Sequence, residues 1–119
     1  MVERLPRLLL HAEGAAVAVT ALTLYFHQGF DWWLLLVFVL APDLAMLGYL
    51  AGPRAGAVAY DVVHTYVLPV LLAAASVIWD WNGGLAVALI WLTHIGVDRT
   101  VGYGLKYPSD FKDTHLQRV

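Results

Sequence analysis

The 119-residue sequence contains no cysteine and few charged residues. Without thiols the chain can form neither disulfides nor a thiolate nucleophile, and a metal ion would need nitrogen and oxygen ligands. Charged residues make up 13% of the chain, whereas a soluble domain carries about 25%. The net charge is only -2 and no basic stripe is present, so nucleic acid is not an expected partner. These shortages favour a protein that lies in a membrane and contacts lipid.

Long apolar runs fill most of the chain, in which 61% of residues are hydrophobic. Since a hydrocarbon core of about 30 Å needs about 20 helical residues, we predict an all-α fold, a four-helix transmembrane bundle. The expected spans are about 8–26, 33–50, 57–78 and 85–101, within a single domain, 1–119. A soluble bundle is disfavoured because segments such as 34–40 have no polar face. Pro42 predicts a kink in the second span, beside Asp43.

The positions of the basic residues predict the orientation. The first and third connections contain no Lys or Arg, and all seven basic residues fall on the other side: Arg4, Arg7, Arg54, Arg99, Lys106, Lys112 and Arg118. Cytoplasmic segments are enriched in Lys and Arg. Both termini are therefore predicted to be cytoplasmic, with the chain integral to the inner membrane of the cell. The five Trp residues are expected mainly at the membrane interfaces.

Five polar residues interrupt the apolar spans at a shared depth. At 1.5 Å of rise per helical residue, the predicted topology places them all in the cytoplasmic half of the bilayer: Glu13, Asp43, His64, His94 and Asp98. Ionisable groups within a span are costly to bury and indicate a functional site. This convergence in depth is the strongest functional signal in the sequence.

Two imidazoles and three carboxylates, without thiolates, suit Zn²⁺, Mn²⁺ or non-haem iron. We predict four metal ligands in the spans: Asp43, His64, His94 and Asp98, the last two at i and i+4 on one helical face. A metal lowers the pKa of bound water to about 7 and so favours hydrolysis. Glu13 is predicted to act as general base. Arg99, which with Lys106 is expected at the cytoplasmic mouth of the site, is predicted to be a catalytic residue that binds phosphate.

The same residues also have structural interpretations. His64 could bridge helices by hydrogen bonds, and Asp43 could cap backbone groups freed by the kink. Arg99 could serve only as a topology determinant. His11 and His27 are expected to be merely solvated. The small residues are expected to allow close helix packing: Gly14, Ala18, Gly48, Gly52 and Gly96.

The tail, residues 107–119, is predicted to form a short cytoplasmic C-terminal helix. Ser109 can cap that helix, and Phe111 and His115 would lie on one face at i and i+4. The helix would then be a lid over the cytoplasmic mouth, with His115 as an outer metal ligand. A solvated amphipathic helix on the headgroups is the equal alternative.

Several segments resemble a known family. They are residues 41–53 and 94–108, together with Glu13-Gly14, the run from Tyr60 to Thr65, and Thr114-His-Leu116. These segments are similar to a family of short bacterial membrane proteins that is classed as a domain of unknown function. The resemblance covers nearly the whole chain and implies a membrane protein without an established activity.

A weaker resemblance concerns a Pro-Asp late in one helix, a His-Thr early in the next, and then His-x-x-x-Asp. This order is similar to larger inner-membrane proteins described as metal-dependent hydrolases. It implies that the motif's acidic and imidazole positions fall on Asp43, His64, His94 and Asp98. The sequence departs from the motif because Leu44 and Ala45 replace a further Asp and His, and Asp61 replaces an Arg. These departures leave fewer ligands and argue against a two-metal site.

We therefore predict a membrane-embedded metal-dependent hydrolase that acts on a lipid or phosphoester from the cytoplasmic side. The alternative from another class is non-enzymatic: a small transporter or proton pathway, or a helical interaction module. Membrane lipid is the expected partner, with a lipid or small molecule as substrate. Because four such spans form a thin bundle, a homodimer is a further expectation. A measurement of bound metal would distinguish the hydrolase from the non-enzymatic alternative.

Overall fold

The computed structural model describes residues 4–102, except for the side chains of Ala45 and Met46, and this part of the chain is helical. Its elements are α1 (Leu5–His27), α2 (Trp32–Phe38), a 3₁₀ helix (Ala41–Ala51), α3 (Pro53–His64), α4 (Val67–Ile78) and α5 (Asn82–Val101). The predicted C-terminal helix and lid, with Phe111 and His115, lie outside the described residues.

Four helical stretches are long and apolar enough to cross a membrane: Leu5–His27, Trp32–Ala51, Pro53–Ile78 and Asn82–Val101. The all-α fold with four spans is thus confirmed, and the chain is a membrane protein. The third stretch begins earlier than the predicted residue 57, because Pro53 occupies the first turn of α3, a position that proline favours. Gly52 alone makes the second connection, with a φ of +119°.

Helix α5 is the central element of the fold. Of its most apolar 18-residue window, 56% is buried inside the protein, compared with 22%, 17% and 0% for the other three spans in decreasing order. It packs against α1, α4 and α2. The buried cluster around it includes Tyr25 from α1 and Leu89 and Ile90 from α5. Every other span is therefore positioned relative to α5.

Small residues bring α1 and α5 into backbone contact. A Cβ atom at Gly96 would lie 2.7 Å from both the Ala18 amide nitrogen and the Gly14 carbonyl oxygen. A Cβ atom at Gly14 would in turn overlap the side chain of Arg99. This confirms that Gly14, Ala18 and Gly96 allow close packing.

The packing predictions for Gly48 and Gly52 have different outcomes. Gly48 also packs closely, because a Cβ there would lie 2.8 Å from the Cβ of Ala59 on α3. Gly52 was predicted to serve packing, and that prediction was wrong: apart from its two chain neighbours, no atom of the described residues lies within 4 Å of a Cβ built there. Its positive φ instead allows the sharp turn into α3.

The second span is interrupted at the predicted kink. Pro42 has no amide hydrogen to donate to the carbonyl four residues earlier, and α2 ends at that residue, Phe38. The chain then continues as a 3₁₀ helix, in which the Asp43 amide donates to the Leu40 carbonyl at 3.0 Å. Because this bond reaches back three residues instead of four, the Val39 carbonyl is left for another partner.

The third span, predicted as one helix over about 57–78, is interrupted as well. Helix α3 ends at His64, and α4 begins at Val67. Pro69 lies in the first turn of α4, and its ring would clash with the Thr65 carbonyl in a continuous helix. The break releases the carbonyls of Val63 and His64 from the helical hydrogen-bond pattern. Non-helical backbone at membrane depth needs protein partners for such groups.

Candidate metal centre

Four side chains from three segments converge beside the two interruptions. Asp43 lies in the first turn of the 3₁₀ helix, His64 ends α3, and His94 and Asp98 lie one turn apart on α5. One nitrogen or oxygen atom of each lies within 4.8 Å of the others. We call these four residues the four-ligand cluster, a partly buried group that could bind a metal ion.

The atoms of the cluster are close to one another. The two imidazole Nε2 atoms are 3.1 Å apart. Asp43 Oδ1 is 3.3 Å from Nε2 of His64 and 3.1 Å from Nε2 of His94. Asp98 Oδ2 is 3.5 Å and 3.2 Å from the same two nitrogens. Five of the six distances between the four atoms thus fall between 3.1 and 3.5 Å.

The hydrogen bond that each imidazole makes through Nδ1 determines its tautomer. His64 Nδ1 lies 2.9 Å from the Tyr60 carbonyl oxygen, and His94 Nδ1 lies 2.5 Å from the Val39 carbonyl oxygen. A carbonyl oxygen only accepts, so both Nδ1 atoms donate, and a neutral imidazole then presents a lone pair on Nε2. Both lone pairs point at the two carboxylates. Metal-ligating histidines commonly hold their other ring nitrogen in this way.

The two broken spans shape the cluster directly. The carbonyl that orients His94 is that of Val39, which the change to a 3₁₀ helix beside Pro42 sets free. The ring of Tyr60 stacks on the His64 imidazole with a centroid separation of 3.7 Å and an interplanar angle of 5°. His94 is therefore held by a carbonyl of the interrupted second span, and His64 by a carbonyl of the interrupted third span.

Helix α5 also satisfies the carbonyls at the second interruption. Trp91 Nε1 donates to the Val63 carbonyl at 2.6 Å, and Arg99 donates to the His64 carbonyl at 2.7 Å. Arg99 is only 5% exposed, and its guanidinium lies 5.8 Å from the centroid of the Tyr66 ring, within cation–π range. The arginine predicted at the mouth of the site is thus buried, and it positions the backbone of a cluster residue.

The cluster is more exposed on its carboxylate side. The side chains of His64 and His94 are 0% and 4% exposed, whereas those of Asp98 and Asp43 are 17% and 41% exposed. The imidazoles therefore form the enclosed wall of the cluster. Asp43 is where water or a ligand can approach.

Not all predicted site residues meet. The four predicted ligands in the spans come together, and His115 lies outside the described residues. Glu13 is exposed on α1 and is not part of the cluster. The catalytic roles assigned to Glu13 and Arg99 stay predictions.

Three residues have roles that the sequence did not reveal. Tyr60 and Trp91 were overlooked, although they lie at i-4 and i-3 from His64 and His94, spacings that share a helical face. Trp91 was grouped with the interfacial tryptophans, yet it donates inside the bundle. The prediction for His11 was wrong, because its Nδ1 donates to the Thr100 carbonyl at 2.9 Å and caps the end of α5.

Comparisons with known proteins assign a family. No curated protein and no solved structure matches the chain. A family model described as a domain of unknown function (DUF4260) matches residues 7–119. The chain, with its four apolar spans and its intramembrane cluster, therefore belongs to the DUF4260 family.

Proposed function

We propose that the four-ligand cluster binds one divalent metal ion, and that the bound ion promotes hydrolysis of a lipid or phosphoester. One observation carries this proposal. Two carboxylate oxygens and two imidazole nitrogens point at one another, while both Nδ1 atoms are committed to carbonyls. Four lone pairs facing one point repel one another unless a cation lies between them.

The spacing of the four atoms suits a metal ion. Ligands at 2.0–2.2 Å around a tetrahedral Zn²⁺ would be about 3.3–3.6 Å apart. Neighbouring ligands around an octahedral ion would be about 3.0 Å apart. The five measured distances span 3.1 to 3.5 Å. Zn²⁺, Mn²⁺ and Fe²⁺ all accept this set of nitrogen and oxygen ligands.

The exposed side of the cluster favours a reactive site over a closed one. A tetrahedral ion bound by all four residues has no free position, as in structural zinc sites. A six-coordinate ion keeps two positions for water and a substrate oxygen. Asp43, whose side chain is 41% exposed, is where they would enter. An open site of this kind is the arrangement that hydrolysis requires.

The reaction itself is an ordinary hydrolysis. A bound metal would lower the pKa of a coordinated water to about 7. In such a hydrolysis the water oxygen would form a bond to the carbonyl carbon or phosphorus, and its proton would move to a carboxylate of the site. The bond to the leaving alcohol would then break, and the alcohol oxygen would take up that proton. Water is the only co-reactant.

Metal content tests the proposal. Protein purified in detergent without chelators is expected to contain about one Zn, Mn or Fe per chain, measured by inductively coupled plasma mass spectrometry. His94→Ala should lose it. His27→Ala is the matched control, since that imidazole is exposed and its removal should change nothing. Wild-type protein that stays metal-free after incubation with each ion would refute the metal site, and metal-loaded protein inactive on lipid esters and phosphoesters would refute the reaction.

A proton pathway is the second candidate, and one distance favours it. The separation of 3.1 Å between the two Nε2 atoms also suits a proton shared by the imidazoles. Buried His and Asp chains form proton relays in pumps and transporters. Proteoliposomes containing a pH-sensitive dye distinguish the two functions. Proton flux by metal-free wild-type protein, lost in His64→Ala, would favour the pathway.

We also propose that the spans lie in the inner membrane with both ends cytoplasmic. The support is the absence of Lys and Arg from the first and third connections. Reporter fusions at Asn82 and at the C-terminus should report opposite compartments. Equal reporter signals from both sites would overturn this orientation.

A further inference from the structure

An apolar cavity adjoins the four-ligand cluster. It has a volume of about 250 Å³ and lies between the second span, the third span and α5. Its walls include Phe38, Ala41, Pro42, Val63, Ile90 and Trp91. We infer that this cavity binds part of one hydrocarbon chain of a membrane amphiphile whose polar group lies at the cluster. The inference rests on the proposed metal-dependent function and names its substrate class.

Cavity and cluster share the same short segments. Pro42 in the wall directly precedes Asp43, and Val63 directly precedes His64. Trp91 lies one helical turn before His94 on α5, at a spacing that shares a face. Consecutive residues have Cα atoms about 3.8 Å apart. The walls of the cavity therefore begin within a few ångströms of residues of the cluster.

Among the described residues, no side chain that lines the cavity offers its occupant a free polar group. Of the described residues that line it, Trp91 alone has a polar side chain, and its N–H is committed to the Val63 carbonyl. A stable buried water needs two to four polar partners. Hydrocarbon is thus the suitable occupant. Whole drug-sized ligands occupy about 300–1,000 Å³, so this volume suits part of a single chain.

A second cavity shows what distinguishes the first one. It has a volume of about 320 Å³, is lined mainly by apolar residues, and lies between α1, α4 and α5. None of its described lining residues is next to a cluster residue in the sequence. Lipid tails could fill both cavities. A chain in the first cavity also has its polar end at the cluster, as a substrate requires.

Photo-crosslinking tests this inference. The probe is phosphatidylglycerol with a diazirine on one acyl chain, added to full-length protein in nanodiscs, with labelled peptides identified by mass spectrometry. Wild-type protein should be labelled preferentially at the walls of the first cavity. Ala41→Phe and Val63→Phe, two independent ways to fill the cavity, should each lose most of this labelling. Thr20→Phe, which fills the second cavity, should retain it.

Metal content measured on the same samples separates the two proposals. Equal labelling of both cavities, or labelling that survives in either filled variant with normal circular dichroism, would overturn the hydrocarbon site. Specific labelling of a wild-type protein that binds no metal would support the cavity and refute the metal-dependent function. A metal-loaded protein without specific labelling would support the metal site and overturn the hydrocarbon site.

Discussion

Helix α5 has two kinds of neighbour, and they are held in different ways. Against α1 it packs backbone to backbone, through Gly96 opposite Gly14 and Ala18. Both helices are continuous and contact each other through small residues, and His11 adds a hydrogen bond to the Thr100 carbonyl at the end of α5. Against the second and third spans it presents polar side chains, which bind carbonyls released where those spans are broken.

The interruptions of the second and third spans provide backbone acceptors that α5 can bind. Away from its ends, a continuous helix satisfies its own backbone and has no free carbonyl to offer to a neighbour. The breaks after Phe38 and His64 expose carbonyls at membrane depth, and α5 supplies Trp91, His94 and Arg99 as donors. One of those donors, His94, presents its other nitrogen to the cluster. The donor that secures a broken span is therefore also a predicted metal ligand.

The largest effect is expected within the cluster. Removal of a ligand should weaken metal binding by roughly 100-fold or more, beyond the 10–100-fold that outer residues contribute. His64→Ala and Asp98→Asn should therefore each abolish metal retention, and the double variant should lose little more, because the ligands act as one unit. Metal titration by isothermal calorimetry measures this. Losses that simply add would indicate separate packing roles.

The next largest effect is expected at the contact between the two continuous helices, α1 and α5. Gly96→Ala places a methyl group against the backbone of α1 and should destabilise the fold by about 1–3 kcal/mol. Gly83→Ala is the control on the same helix, because the close atoms there belong to the exposed side chain of Trp81. Denaturant unfolding in mixed micelles gives both values. Metal stoichiometry of the folded Gly96→Ala protein should be normal, and equal stability of the two variants would contradict the close contact.

Substitution of Arg99 tests the contact between α5 and the interrupted third span, and it leaves all four predicted ligands in place. Arg99→Gln weakens the support of the His64 carbonyl and should lower metal affinity by roughly 10–100-fold. Arg99→Lys should retain part of the affinity, since an ammonium group can donate to the same oxygen. Arg54→Gln, at an exposed position, is the control. If both arginine-to-glutamine variants bound metal equally well, Arg99 would have no positioning role.

The smallest effect is expected at Trp91. Trp91→Phe keeps most of the ring but removes the hydrogen bond to the Val63 carbonyl, which should cost about 0.6 kcal/mol, the average for such bonds in membrane proteins. Trp79→Phe is the control, because Trp79 is 74% exposed. The two variants are compared by thermal unfolding in the same detergent. If Trp79→Phe were as unstable as Trp91→Phe, the loss of an indole ring would explain the effect, and the hydrogen bond to Val63 would not.

The sequence alone determined the spans and the four residues of the cluster. Apolar length is a local property, so four membrane-spanning stretches followed from the composition of each segment. Asp43, His64, His94 and Asp98 stood out because polar groups in apolar spans are costly, and because the predicted topology gives them one depth. Depth follows from counting residues along a helix, without knowledge of how helices pack.

Only the tertiary structure decided which polar groups meet and what holds them. Glu13 shares the predicted depth but is exposed on α1, because depth does not specify the direction in which a helix faces. Arg99, expected at the mouth, donates instead to a carbonyl that exists as a free acceptor only because α3 stops at His64. A broken helix creates acceptors, and which side chain reaches them depends on the rotation of α5 against its neighbours. That rotation is set by contacts between residues far apart in the chain.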